Sequence, residues 1–217
     1  MLFFLAGAPV WAGLCCLYSK DRYHKEPWGM LLWSVVYGLF STFVIYGLGV
    51  WLKRTFPHAE GPFYTAFIAA SAVEEGTKLL FLYFLIYHNR HFDEPIDGAI
   101  YSGFLSLGFA WLENIAYVFH FSLGGVETAL SRAILSVPCH GLFGVEMGYW
   151  LAKAHFQKKA YFLLCFLAPW ALHGFYNYFL FLENPIFRLV YMGWVIFCWI
   201  LAKYRLKILY NMKNLRQ

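Results

Sequence analysis

The sequence predicts an all-α fold, a polytopic bundle of transmembrane helices with about seven spans. Three observations predict it. Hydrophobic residues make up 61% of the chain and charged residues 13%, whereas a soluble domain is usually about 45–50% apolar and about 25% charged. The apolar residues fall in long runs, each able to cross a hydrocarbon core about 30 Å thick, which takes roughly 17–25 helical residues. The connections between runs are short and carry the Pro, Asn and charged residues, with no low-complexity stretch or repeat. One compact integral-membrane domain over residues 1–217 is therefore expected.

The first run covers Leu2 to Tyr18. It opens on Met-Leu-Phe-Phe-Leu without a basic n-region, so it reads as a retained span rather than a cleaved leader. The second runs from Trp28 to Leu52 and stops at Lys53, Arg54 and Pro57. The third runs from Pro62 to Tyr87, and the fourth from Ile96, just after Pro95, to Phe119. The fifth covers Ala133 to Ala154, the sixth Tyr161 to Leu182, and the seventh Ile186 to Leu201, with Arg188 near its start. Glu183, Asn184 and Pro185 separate the last two. The 22% aromatic share suits the interface, where Trp and Tyr rings favour the headgroup layer.

An odd number of spans puts the two ends on opposite sides. With the C-terminus in the cytoplasm, the inside holds Lys20, Arg22, Lys25, Arg90, Lys153, Lys158, Lys159, Lys203, Arg205, Lys207, Lys213 and Arg216. The outside then holds Lys53, Arg54, Arg132 and Arg188. This asymmetry follows the positive-inside rule and predicts an outside N-terminus. It also accounts for the net charge of +5, so no nucleic-acid partner is implied. The five cysteines all lie within apolar runs and none forms a C-x-x-C pair; they read as small buried hydrophobes.

Ionisable or strongly polar groups inside the spans are the informative exceptions. A charge at bilayer depth costs about 2.5–3.5 kcal/mol even on the lenient insertion scale. The third run carries Glu74, Glu75 and Lys78; the fourth Glu113 and Asn114; the fifth His140 and Glu146; the sixth His173 and Asn177. At 1.5 Å rise per residue, Glu74 and Glu75 lie roughly 18 Å below the outer end of their span, Glu113 roughly 9 Å, His140 roughly 11 Å and His173 roughly 14 Å. Agreement in depth between the outer face and the midplane points to one shared polar cavity opening outward. Glu74 and Lys78 stand at i, i+4 in the order that favours an ion pair, and Glu75 reaches Lys78 at i+3. Lys78 can then neutralise one glutamate and leave the other to act as a general base for water. His173 and Asn177, also i, i+4, can donate hydrogen bonds to an oxyanion. Two carboxylates, two imidazoles and an amide together fit peptide hydrolysis. Glu146, six residues from His140, is on another face and reads as structural.

These residues resemble a known group. Glu74-Glu75-x-x-Lys78, Phe109-x-x-x-Glu113, a motif centred on His140, and His173-x-x-x-Asn177 fall in order on four successive spans. The chain resembles the PrsW-type intramembrane proteases, bacterial relatives of the prenyl-protein (CAAX) endopeptidases. The resemblance implies a protease of the bacterial cell membrane, and the outward-opening cavity suits a first cut near the outer face. Its partner would be a single-span membrane protein, an anti-sigma factor cut at site 1 to start release of a stress-response sigma factor. By the same analogy Glu75 or Glu74 activates water, and His173 and Asn177 steady the oxyanion.

The sequence leaves the cofactor open. Glu75, Glu113, His140 and His173 are competent ligands for zinc or another divalent ion, but there is no H-E-x-x-H. It also leaves a second class of function, a proton- or cation-coupled transporter, because intramembrane Glu, Lys and His also build proton relays. No Gly/Pro-broken pair of spans recurs in matching halves, as inverted repeats would require.

Overall fold

The computed structural model describes residues 1–22, 24–120, 122, 124–182 and 184–213. Glu183 and Arg216, used above for a connection and for charge, lie outside the described residues, as does the Lys213 side chain. Among the described residues the chain is helical, without a strand. The helices are α1 Leu2–Lys20, α2 Trp28–Thr55, α3 Val73–Ile86, α4 Pro95–Val118, α5 Val126–Ile134, α6 Ser136–Phe156, α7 Leu164–Phe181 and α8 Pro185–Lys213. A π-helical stretch, Tyr64–Ala72, leads into α3, and a 3-10 turn, Lys159–Leu163, leads into α7. By length and apolarity α1, α2 and α8 are each able to cross a membrane. Phe4, Trp33, Phe43, Tyr46, Phe84 and Leu189 stand exposed, as expected for a bundle whose outside meets hydrocarbon.

Two of the expected runs are organised differently. The fifth is not one helix from Ala133: α5 ends at Ile134 and α6 begins at Ser136. Pro138 explains the break. Its ring would clash with the carbonyl four residues back, at Ile134, and it has no N–H to donate. In the first turn of a new helix that missing donor is harmless. The seventh run does not end at Leu201 but continues as α8 to Lys213, because Lys203, Arg205 and Lys207 are good helix formers as well as charges.

α4 is the central post and packs against α6, α2 and α1. It starts where Pro95 follows Glu94, and the Asp97 carboxylate accepts the N–H groups of Asp93 and Glu94 at 3.1 and 2.6 Å, a first-turn cap. Glycine permits a close crossing of α4 and α6. A Cβ on Gly148 of α6 would lie 2.0 Å from the Gly98 carbonyl oxygen of α4, so the two backbones touch.

Paired contacts set the register. Asn114 bonds the Ala6 carbonyl, Gly13 faces Leu107 and Leu17 faces Gly103, so α1 runs antiparallel to α4. Gly141 faces Leu107 and Gly148 faces Gly98, so α6 is also antiparallel to α4 and parallel to α1. α8 pairs Arg205 with Glu146 at 2.8 Å and brings Cys198 near Cys139, parallel to α6. Glu146, which also accepts from Trp150 at 2.8 Å, is the structural group the sequence suggests.

Candidate active site

The π-helical stretch precedes the glutamates directly. Its wider turn is held by Ser71, whose hydroxyl donates to the Ala66 carbonyl at 2.6 Å, and Phe67 packs so closely on Gly174 that a Cβ there would sit 2.2 Å from the ring. Such π segments are frequent beside functional groups. Here the segment ties the start of α3 to α7 and turns Glu74 and Glu75 inward.

Lys78 is the hub. Its ammonium lies 2.9 Å from Glu75 Oε1, 3.4 Å from Glu74 Oε2 and 3.5 Å from His140 Nδ1. It stands 4.1 Å from the Phe109 ring centroid and is wholly buried. An unpaired ion at this depth would carry a desolvation penalty of several kcal/mol; two carboxylates and a ring face offset it. His173 Nδ1 meets Glu75 Oε1 at 2.8 Å and Glu74 Oε2 at 3.9 Å. Its ring stacks on Phe143 with centroids 4.9 Å apart. His140 Nε2 meets Glu113 Oε2 at 3.0 Å, an arrangement satisfied by a neutral ring with its hydrogen on Nε2. The two imidazoles are 5.2 Å apart and perpendicular.

Six of the singled-out residues, Glu74, Glu75, Lys78, Glu113, His140 and His173, thus form one connected cluster. Asn177 is half-buried, one turn along α7 from His173, and makes no hydrogen bond among the described residues. Asn114 is spent on packing: its amide donates to the Ala6 carbonyl at 2.9 Å and its oxygen accepts from Arg132 Nε at 2.9 Å. The side chains meet in direct contact. Glu113 and Glu74 retain 18% and 10% side-chain exposure, against 0% for Glu75, so the open side of the cluster is theirs. Cavities of about 510 Å3, beside Gly76, Tyr83 and Phe162, and about 380 Å3, between α1, α6 and α8, lie elsewhere.

Arg132, on α5, was not among the expected residues. Its guanidinium meets Glu113 Oε2 at 2.5 Å and lies 4.1 Å from the Tyr117 ring centroid. The available signal was the amphipathic stretch Val126–Ile134, whose one basic residue is Arg132. The partner 19 positions away carried no signal.

Glu74, Glu75, His140 and His173 each offer a donor atom, all within 4.8 Å of one another. Two carboxylates and two imidazoles are a donor set suited to zinc. Counting Glu74, Glu75 and Glu113 against Lys78 and Arg132, with neutral imidazoles, leaves one negative charge in the cluster, and Glu75 Oε2 is buried without a hydrogen bond. Both features fit an added cation.

Residues 26–202 match the family model described as PrsW family intramembrane metalloprotease. The chain is 42% identical over 180 residues to Protease PrsW of Geobacillus kaustophilus, covering 80% of this chain and 76% of that protein. It is 37% identical over 197 residues to Protease PrsW of Bacillus subtilis, covering 88% of each. With Protease PrsW of Clostridioides difficile it shares 34% identity over 206 residues, 91% of this chain and 87% of that one. No solved structure matches.

Proposed function

Because this chain belongs to the PrsW family of intramembrane metalloproteases, and is therefore a membrane peptidase, we propose that it makes the first, site-1 cut in a single-span anti-sigma factor. Hydrolysis, rather than the proton-coupled transport that the sequence left open, is its activity. The observation that carries the reading is the convergence of Glu74, Glu75, His140 and His173 from three helices, with donor atoms within 4.8 Å. The basic-residue asymmetry supports an outside N-terminus, which turns the open side of the cluster outward and suits a cut near the outer face.

In the mechanism, Glu74 is the general base. Glu75 Oε1 is committed to Lys78 and His173, whereas Glu74 stands toward the opening. Glu74 takes a proton from water as the water oxygen attacks the scissile carbonyl carbon. Asn177, on the same face of α7 as His173, donates its amide N–H to the oxygen that gains the charge, while the His173 Nδ1–H holds Glu75. The C–N bond then breaks as the proton passes to the departing nitrogen. Lys78 keeps two carboxylates close together, and Arg132 holds Glu113 so that Glu113 orients His140. Glu75, His140 and His173 would hold a divalent ion, which when bound supplies Lewis acidity to a substrate oxygen.

The test is cleavage of a single-span substrate by purified protein in proteoliposomes, with the new termini read by mass spectrometry. Glu75→Gln and Glu74→Gln should each lower cleavage by about 10²-fold or more while expression and insertion are unchanged. Wild-type cleavage in both variants would remove the carboxylates from the mechanism. A substrate cut only when its anti-sigma domain is present, at a bond near the outer face, supports the substrate class; indifference to that domain refutes it.

A further inference from the structure

The geometry points to a phospholipid site beside the cluster but on another face of α6, with an acyl chain in the groove between α1, α6 and α8 and an anionic headgroup between Lys20 and Lys203. The groove has a volume of about 380 Å3, within the range of small-molecule sites. Its floor is apolar and buried: Leu107, Leu142 and Val145. It exists because Gly13 and Gly141 face the same Leu107 side chain and contribute no side chains of their own. Hydrocarbon is the solvent outside α1 and α8, and an extended chain fits a slot this size, whereas a helix is about 10–12 Å across.

Register places the two lysines together. Gly13 and Gly141 share a level, since both meet Leu107. Glu146 meets Arg205. Counting along the parallel helices, Lys203 stands level with Gly144 and hence with Cys16, one turn, or about 5 Å, from Lys20. Both line the groove, and among the described residues neither ammonium has an ion pair or hydrogen bond. Two unpaired cations at one end of an apolar slot complement a phosphate with a hydrocarbon tail, and basic pockets between membrane helices take anionic headgroups. Lys203 is exposed on α8, and its long stem can carry the charge to the interface. The slot is separate from catalysis: Gly141 faces it, while the side chain of His140, about 100° round the helix, faces Glu113 and Lys78.

The probe is phosphatidylglycerol against phosphatidylcholine, titrated onto delipidated full-length protein and read by native mass spectrometry. Wild type should retain phosphatidylglycerol over phosphatidylcholine by about tenfold. The double variant Lys20→Gln/Lys203→Gln should lose that preference. Lys20→Arg/Lys203→Arg should keep it, which separates lost charge from misfolding. Ala12→Trp, which fills the slot, should lower retention of both lipids. Equal binding of the two lipids by wild type, or an unchanged preference in the glutamine pair, overturns the site. Cys15 and Cys16 are exposed rather than buried as the sequence suggests, and Cys16 lines the groove. A photocrosslinker on the Cys16 thiol in a Cys15→Ser background should capture lipid; capture of a transmembrane peptide instead would overturn the proposal in favour of a helix-docking face.

Discussion

Replacing Arg132 by Gln isolates the one strong contact in the cluster that comes from outside the motif helices. The guanidinium makes a 2.5 Å bond to Glu113 Oε2 and a 2.9 Å bond to Asn114 Oδ1. The Glu113 pair has side chains 13% and 18% exposed, so its worth lies between an exposed pair at about 0.2–1 kcal/mol and a broken buried pair at about 3–5 kcal/mol. The bond to Asn114 is charge-assisted and adds about 1.5 kcal/mol; with the partly exposed pair near about 1 kcal/mol, the expected loss is about 2–3 kcal/mol. On the usual scaling for 150–250 residues that lowers Tm by about 4–12 °C. The catalytic effect is separate. Glu113 Oε2 also accepts from His140 Nε2 at 3.0 Å, and an orienting group of this kind is worth about 10–100-fold in activity. The assay is turnover of a single-span substrate well below the melting transition, with thermal unfolding in the same detergent. Arg132→Lys, which keeps the charge but not the fork, should recover part of the rate. A glutamine variant that melts lower but cleaves at the wild-type rate would make Arg132 a strut only; one unchanged in both would refute the reasoning.

Other perturbations follow from the same geometry. Lys78→Met leaves Glu74 and Glu75 facing each other without a cation and should cost about 3–5 kcal/mol, seen as a large drop in detergent-unfolding midpoint. A variant as stable as wild type would show that the carboxylates are otherwise compensated. Gly148→Val drives a Cβ to 2.0 Å from the Gly98 carbonyl oxygen and should cost about 3 kcal/mol or prevent folding; a normal melt would mean α4 and α6 separate easily. At the same N-terminal end of α4, Glu26 accepts from the Tyr101 hydroxyl, and burial pushes its carboxyl above the ordinary value of 4.5. Because the folded-state value is raised, the stabilising neutral form is fully present below pH 4.5 and lost as pH rises through the folded value. Glu26→Gln, which stays neutral, should flatten the decline in melting temperature above pH 4.5; an equal slope in both proteins would exclude Glu26 as its source.

The sequence by itself determined the all-helical membrane class, the approximate positions of most helices and the identity of most of the cluster. The physical reason is that a hydrocarbon environment demands long apolar helical runs and makes every intramembrane charge conspicuous. The local pairing of Glu74 and Glu75 with Lys78 was legible too, because i+3 and i+4 neighbours share a helix face. Tertiary structure alone decided the rest. His173 reaches Glu75 across 98 positions and His140 reaches Lys78 across 62, distances over which helical period carries no information about facing. It assigned Asn114 to packing on Ala6, brought in Arg132 from a short helix, and let Pro138 divide what reads as one apolar run. Hydrophobicity sorts residues into helices; which faces of those helices meet is settled by glycine-permitted contact and by the need of each buried charge for a partner.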